Sequence, residues 1–110
     1  MAHGHSFEAY SERTKQLIRL MQDLNFGRIM DLPVRNGEPV FDQPVQVVRT
    51  VKIAASNGPR PEVQCGDFDL KVEVQSLLHW IARIKTGCIQ CIEVKHGLPF
   101  VIEIKETFQA

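Results

Sequence analysis

Hydrophobic residues recur along this chain with two periods that alternate. Phe7, Tyr10, Leu17, Met21 and Leu24 repeat at helical spacing, with Ile18 and Leu20 beside them. Lys15, Gln16, Arg19, Gln22 and Asp23 form the polar side. The spacing predicts a helix that begins at Ser6 or Ser11, both suited to accept from the free amides of a first turn. Gly27 lies just past the last periodic residue and suits a left-handed helix stop. The period then shortens to two. From Arg28 to Val34, Met30, Leu32 and Val34 fall on one side of a strand, and Ile29, Asp31 and Arg35 on the other. Arg35-Asn36-Gly37 reads as a three-residue hairpin loop, setting Val34 opposite Glu38 and Leu32 opposite Val40. Pro39 near the turn points to an edge or a poorly paired position.

The same succession returns later. Residues 17–41 and 77–101 align without a gap at a separation of 60, and six of the 25 pairs are identical. These are Leu17/Leu77, Gly27/Gly87, Ile29/Ile89, Val34/Val94, Gly37/Gly97 and Pro39/Pro99. They fall where a helix stops, a strand starts and a hairpin turns. In the second copy Asp67 or Asp69 is placed to cap a helix carrying Leu70, Val74, Leu77, Leu78, Ile81 and Ile84 on one face, and Gly87 ends it. Cys88 to Val94 predicts a strand, Lys95-His96-Gly97 a turn, and Leu98 to Lys105 the return. That loop pairs Ile92 with Phe100, Val94 with Leu98 and Gln90 with Ile102.

Between the copies, Gln43 to Ala55 predicts a further strand with Val45, Val47, Val51 and Ile53 on one face, interrupted by Arg49. Ser56 to Pro61 is a loop by composition. The order is α-β-β-β-α-β-β. It predicts an α+β fold: two helix–β-hairpin units (about 11–54 and 69–106) plus one extra strand, within a single domain spanning 1–110. The sheet is expected to be antiparallel, with the helices on one face. One unit alone is too small to bury its own apolar face, so the two are expected to share a core as quasi-equivalent halves whose hairpins superpose. The leftover sheet edges are where a second chain would pair.

Phe26-Gly27, Ile29, Val34, Gly37 and the run Arg49-Thr50-Val51-Lys52-Ile53 resemble the small YezD-like family of bacterial proteins. Those proteins consist of a helix, an aromatic-Gly pair, a strand, an Asp-Gly-type turn and a second strand ending in Arg-Thr-x-Lys-Ile. The second copy is similar through Gly87, Ile89, Val94 and Gly97 but lacks the Arg-Thr run. Asn36 and His96 stand where Asp is usual, and extra residues separate Gly37 from Arg49. The resemblance covers about two thirds of the chain. It implies a small cytoplasmic α+β unit that pairs with itself, and it brings no activity with it.

Composition narrows the function classes. Lys+Arg and Asp+Glu balance at 13 each over 110 residues, so no global field draws in nucleic acid or an anionic membrane. No apolar run approaches the length of a membrane span. Three cysteines, Cys65, Cys88 and Cys91, are too few and odd in number for a secreted disulfide scaffold, which favours a reduced cytoplasmic protein.

Cys88-Ile89-Gln90-Cys91 is the one motif that looks chemical, since zinc knuckles and redox pairs use C-x-x-C. On a strand, positions three apart face opposite sides, so one thiol is expected to be buried and one exposed. Further ligands for a metal would have to come from Cys65, His79 or His96. A nucleic-acid reading rests on Arg28, Arg35, Arg49, Lys52 and Arg60, diluted by Asp31, Glu38 and Asp42. Solvated histidines and an N-cap role for Asp67 and Asp69 are preferred to catalytic roles. A stiff connection is preferred to a recognition loop for residues 56–61. The expectation is a non-enzymatic interaction protein with no catalytic residue or cofactor, self-associating as a homodimer or meeting an unidentified protein partner. The alternatives are a nucleic-acid-binding regulator using a basic hairpin, disfavoured by the net charge, and a zinc or redox protein using Cys88 and Cys91.

Overall fold

A computed structural model of the protein describes residues 7–53 and 71–106. A 3-10 turn at Phe7–Ala9 leads into helix α1 (Glu12–Leu24). Ser11 starts the helix: its extended backbone turns the hydroxyl inward to accept from the Thr14 amide at 3.3 Å. Strand β1 (Gly27–Arg35), the short β2 (Glu38–Pro39) and β3 (Gln46–Arg49) follow. Helix α2 (Val72–Ile84), β4 (Gly87–Lys95) and β5 (Leu98–Ile104) complete the order. Residues 54–70 lie outside the described residues, and with them Asp67 and Asp69; the residue preceding α2 is Lys71, whose side chain makes no cap.

The five strands form one antiparallel sheet in the order β2-β1-β4-β5, with β3 also pairing β1. Both helices lay their apolar stripes on one face. Leu17, Ile18, Met21 and Leu24 from α1 and Val74, Leu77 and Ile81 from α2 meet Ile29, Leu32, Val34, Ile89, Ile92 and Val94 in a single buried cluster. Burial of such side chains, at about 1.5–3 kcal/mol each, is what holds helices to sheet. Among the described residues no helix is long and apolar enough to cross a membrane.

Several sequence expectations are corrected. The helices do not stop on Gly27 and Gly87. Asn25 and Lys85 end them, both at φ 65° and with ψ of −58° and −65°. The following amides close three-residue turns, Phe26 N to Leu24 O and Thr86 N to Ile84 O, both 2.7 Å. This is the strained positive-φ γ-turn. Gly27 instead opens β1 at φ +152°, where a Cβ would collide with the Val48 carbonyl.

The hairpin loops hold two residues, not three. Arg35 pairs with Glu38 and Lys95 with Leu98, leaving Asn36-Gly37 and His96-Gly97 as the turns. All four take positive φ, 55° at Asn36 and His96 and 73° at the glycines. These are I′ turns, whose twist matches that of the strands. Val34 therefore faces Pro39, Val94 faces Pro99 and Ile92 faces Ile102. The hairpins also differ from one another. β5 runs for seven residues, whereas β2 ends after two. The chain loops out and returns as β3 beside Gly27–Met30. The partner of Ile29 is Val47, eight residues past Pro39, and that of Ile89 is Ile104, five past Pro99. The extra strand is thus shorter than predicted and exposed throughout, because only its span beside β1 finds a partner.

The faces of β1 are also rearranged. Ile29, Leu32 and Val34 are all buried towards the helices, because Asp31 (φ 52°) drops out of the ladder between the pairs Met30–Cys91 and Leu32–Ile89. That step shifts the in–out alternation by one residue on both central strands.

Candidate interaction surface

Among the described residues, the most exposed large apolar side chains of the second half gather along α2 and the outer edge of β5. Val72, Trp80, Phe100 and Val101 are 72, 38, 65 and 41 % exposed. A groove of about 460 Å3 runs between the two elements, lined by Val72, Leu77, Trp80, Pro99, Phe100 and Ile102 among others. Trp80 also borders a wider depression at the end of α2, with Arg83, Thr86 and Lys105. Arg83 lies over the Trp80 ring at 5.1 Å and Lys95 over the Phe100 ring at 4.3 Å. Phe100 projects because β5 carries one extra residue there: Val94 pairs with Pro99 but Glu93 with Val101.

The corresponding positions of the first half are covered by the chain itself. Leu20, Val40 and Phe41 stand 60 residues before Trp80, Phe100 and Val101. Val40 is buried, and Leu20 and Phe41 pack partly buried on the core beside Tyr10 and Val45. The 3-10 turn is tied down there as well, by Lys15 Nζ on the Glu8 carboxylate at 2.8 Å. Lys15 is held above the usual lysine range, chiefly by that hydrogen bond, while burial works against it.

The basic residues singled out in the sequence are engaged locally. Arg28 faces Glu93 across the strands. Arg35 reaches Asp42 at 3.3 Å. Arg49 donates from Nη1 to the carbonyls of Asp23 and Leu24, at 3.1 and 3.3 Å, and from Nη2 to the Asp23 carboxylate at 3.1 Å. Lys52 sits over the Phe26 ring at 5.8 Å. Arg60 and residues 56–61 lie outside the described residues.

Cys88 and Cys91 turn out to share a face. Cys88 pairs with Pro33 and Cys91 with Met30, while Ile89 and Ile92, on either side of the bulge at Gln90, both enter the core. The expectation of opposite faces fails because the strand is not regular between them. Burial pushes both thiols up; Asp31 adds to this at Cys88 and Glu103 at Cys91, with Lys105 and Arg28 opposing. Such thiols are poor nucleophiles near neutrality. Cys65 lies outside the described residues, and His96 in its turn meets the Phe26 ring edge-on at 4.8 Å. Among the described residues no three His, Cys, Asp or Glu side chains converge as a metal site would need.

The exposed apolar strip itself is not foreseen in the sequence. Its signal was present: Val72 and Trp80 are apolar residues lying off the stripe that predicts α2. Phe100, expected opposite Ile92, is instead the bulge residue and 65 % exposed. Comparison with protein-family models, curated proteins and solved structures gives no match.

Proposed function

We propose that the protein is a small, non-enzymatic interaction protein that self-associates, in the cytoplasm, as a homodimer. The observation that carries this reading is the apolar strip of Val72, Trp80, Phe100 and Val101, which the second half leaves exposed although Leu20, Val40 and Phe41, 60 residues before Trp80, Phe100 and Val101, are buried or half-buried. Contiguous exposed apolar side chains of this kind mark association sites. The balanced charge of 13 basic and 13 acidic residues adds no long-range repulsion between copies. The 60-residue match supports a unit used twice, as do the shared φ values at Asn25/Lys85, Asn36/His96 and Gly37/Gly97. The YezD-like resemblance, on Phe26-Gly27, Gly37 and Arg49 to Ile53, supports a small bacterial unit that pairs with itself. Sedimentation equilibrium of the full chain tests the reading: a concentration-dependent dimer is expected, and a monomer at every concentration rejects it.

A further inference from the structure

We infer that the surface of self-association is the outer edge of β5, joined antiparallel to β5 of a second copy about a two-fold axis near Ile102. This deepens the self-association reading and rests on it.

The two edges of the sheet are not equal. On one side β2 stops at Pro39 and β3 starts only at Gln46, so the edge is broken by a loop that Arg35 and Asp42 tie together. Interruption of this kind protects an edge from pairing. On the other side β5 is continuous for seven residues and, among the described residues, has a strand, β4, on its inner side alone. Pro99 lacks an amide and Phe100 is the bulge residue, so the outer ladder is regular from Val101 to Ile104, with Ile102 within it.

The chain already makes one contact of the same design. β1 and β4 pair antiparallel along nearly their whole length, with the apolar stripes of α1 and α2 in one cluster on one face. Pairing β5 with its copy repeats that arrangement and sets the two α2 helices over the new seam, where Val72 and Trp80 are exposed. The charges are self-complementary. β5 begins at the turn where Lys95 lies over Phe100 and ends towards Glu103, Lys105 and Glu106, an end of net acidic charge. Antiparallel pairing brings the acidic end of each strand alongside the basic end of the other. In this geometry the Phe100 ring and the Trp80 groove are sealed together.

The test uses the full chain, Phe100→Lys, and Val48→Lys on the opposite edge, in sedimentation equilibrium, while the emission of Trp80, the sole tryptophan, is followed with concentration. Phe100 is mostly exposed, so its replacement leaves the core intact; Val101→Lys is a second variant on the same edge, and far-UV circular dichroism checks both. Phe100→Lys is expected to raise the dimer dissociation constant by about tenfold or more, the scale of an aromatic anchor lost. Val48→Lys is expected to leave it unchanged, and Trp80 emission to shift to shorter wavelength as the dimer forms. A dimer that both β5 variants leave intact, with Trp80 emission constant, overturns the β5 interface while self-association stands. A wild type that stays monomeric removes both and leaves the groove to a different protein.

Discussion

The amide of Gly97 donates to the carbonyl of Asn25 at 2.9 Å, and the amide of Gly37 donates to the carbonyl of Lys85 at the same distance. Each hairpin turn is thereby fastened to the end of the helix belonging to the other half. The carbonyls are presented by residues held at φ 65°, so backbone strain at two helix ends is part of how the halves are joined.

That strain is open to measurement. Lys85 is exposed and its side chain does nothing that requires a lysine at the turn, so Lys85→Gly is expected to stabilise the fold by up to about 1 kcal/mol in urea unfolding. Gly37→Ala should do the reverse by about 1 kcal/mol, since alanine resists φ +73°. Equal stability of both variants with wild type would refute the assignment.

Arg49 joins β3 to the end of α1 by satisfying two helix-end carbonyls together with Asp23. Arg49→Ala is expected to cost about 0.5–1.5 kcal/mol, and Arg49→Lys to recover little of it, because an ammonium lacks the planar fork. The separate contribution of the exposed Asp23 carboxylate, read from a double-mutant cycle, should stay below about 1 kcal/mol. A coupling well above that would show a stronger pair than the exposed geometry allows.

The raised thiols make a prediction about reactivity. In a Cys65→Ser background, alkylation of Cys88 and Cys91 is expected to be slower at pH 7.5 than that of a free cysteine, at about pKa 8.5, and to accelerate only as the pH passes above that range. Cys91, the more buried, should lag behind Cys88. Rapid modification of both at neutral pH would point to an activated pair.

Lys15 carries a pH dependence of opposite origin. Its folded pKa is raised, so the stability from its contact with Glu8 is fully present below the ordinary lysine value, about 10.4, and is lost as the pH rises through the folded pKa. The stability gap between wild type and Lys15→Gln is expected to be flat from pH 7 to 9 and to close above about pH 10.5. A gap that persists at pH 12 would assign the effect to packing of the lysine stem.

The amino-acid pattern was enough for the two helices, the three long strands β1, β4 and β5 and the α+β class, because 3.6- and two-residue periods report a single buried face directly. The spacing of Leu17, Met21, Leu24, Val74, Leu77 and Ile81 alone puts them on that face. The periods could not show where regularity breaks. Asp31 and Gln90 leave the ladder only because β1 and β4 pair with each other, and that contact decided that Cys88 and Cys91 share a face. The bulge at Phe100 likewise exists only against β4, and it takes Phe100 from its expected place opposite Ile92 into an exposed strip. Local sequence determines which residues must be hidden from water; which strand lies beside which, and so which edge is left open, depends on contacts between residues far apart in the chain.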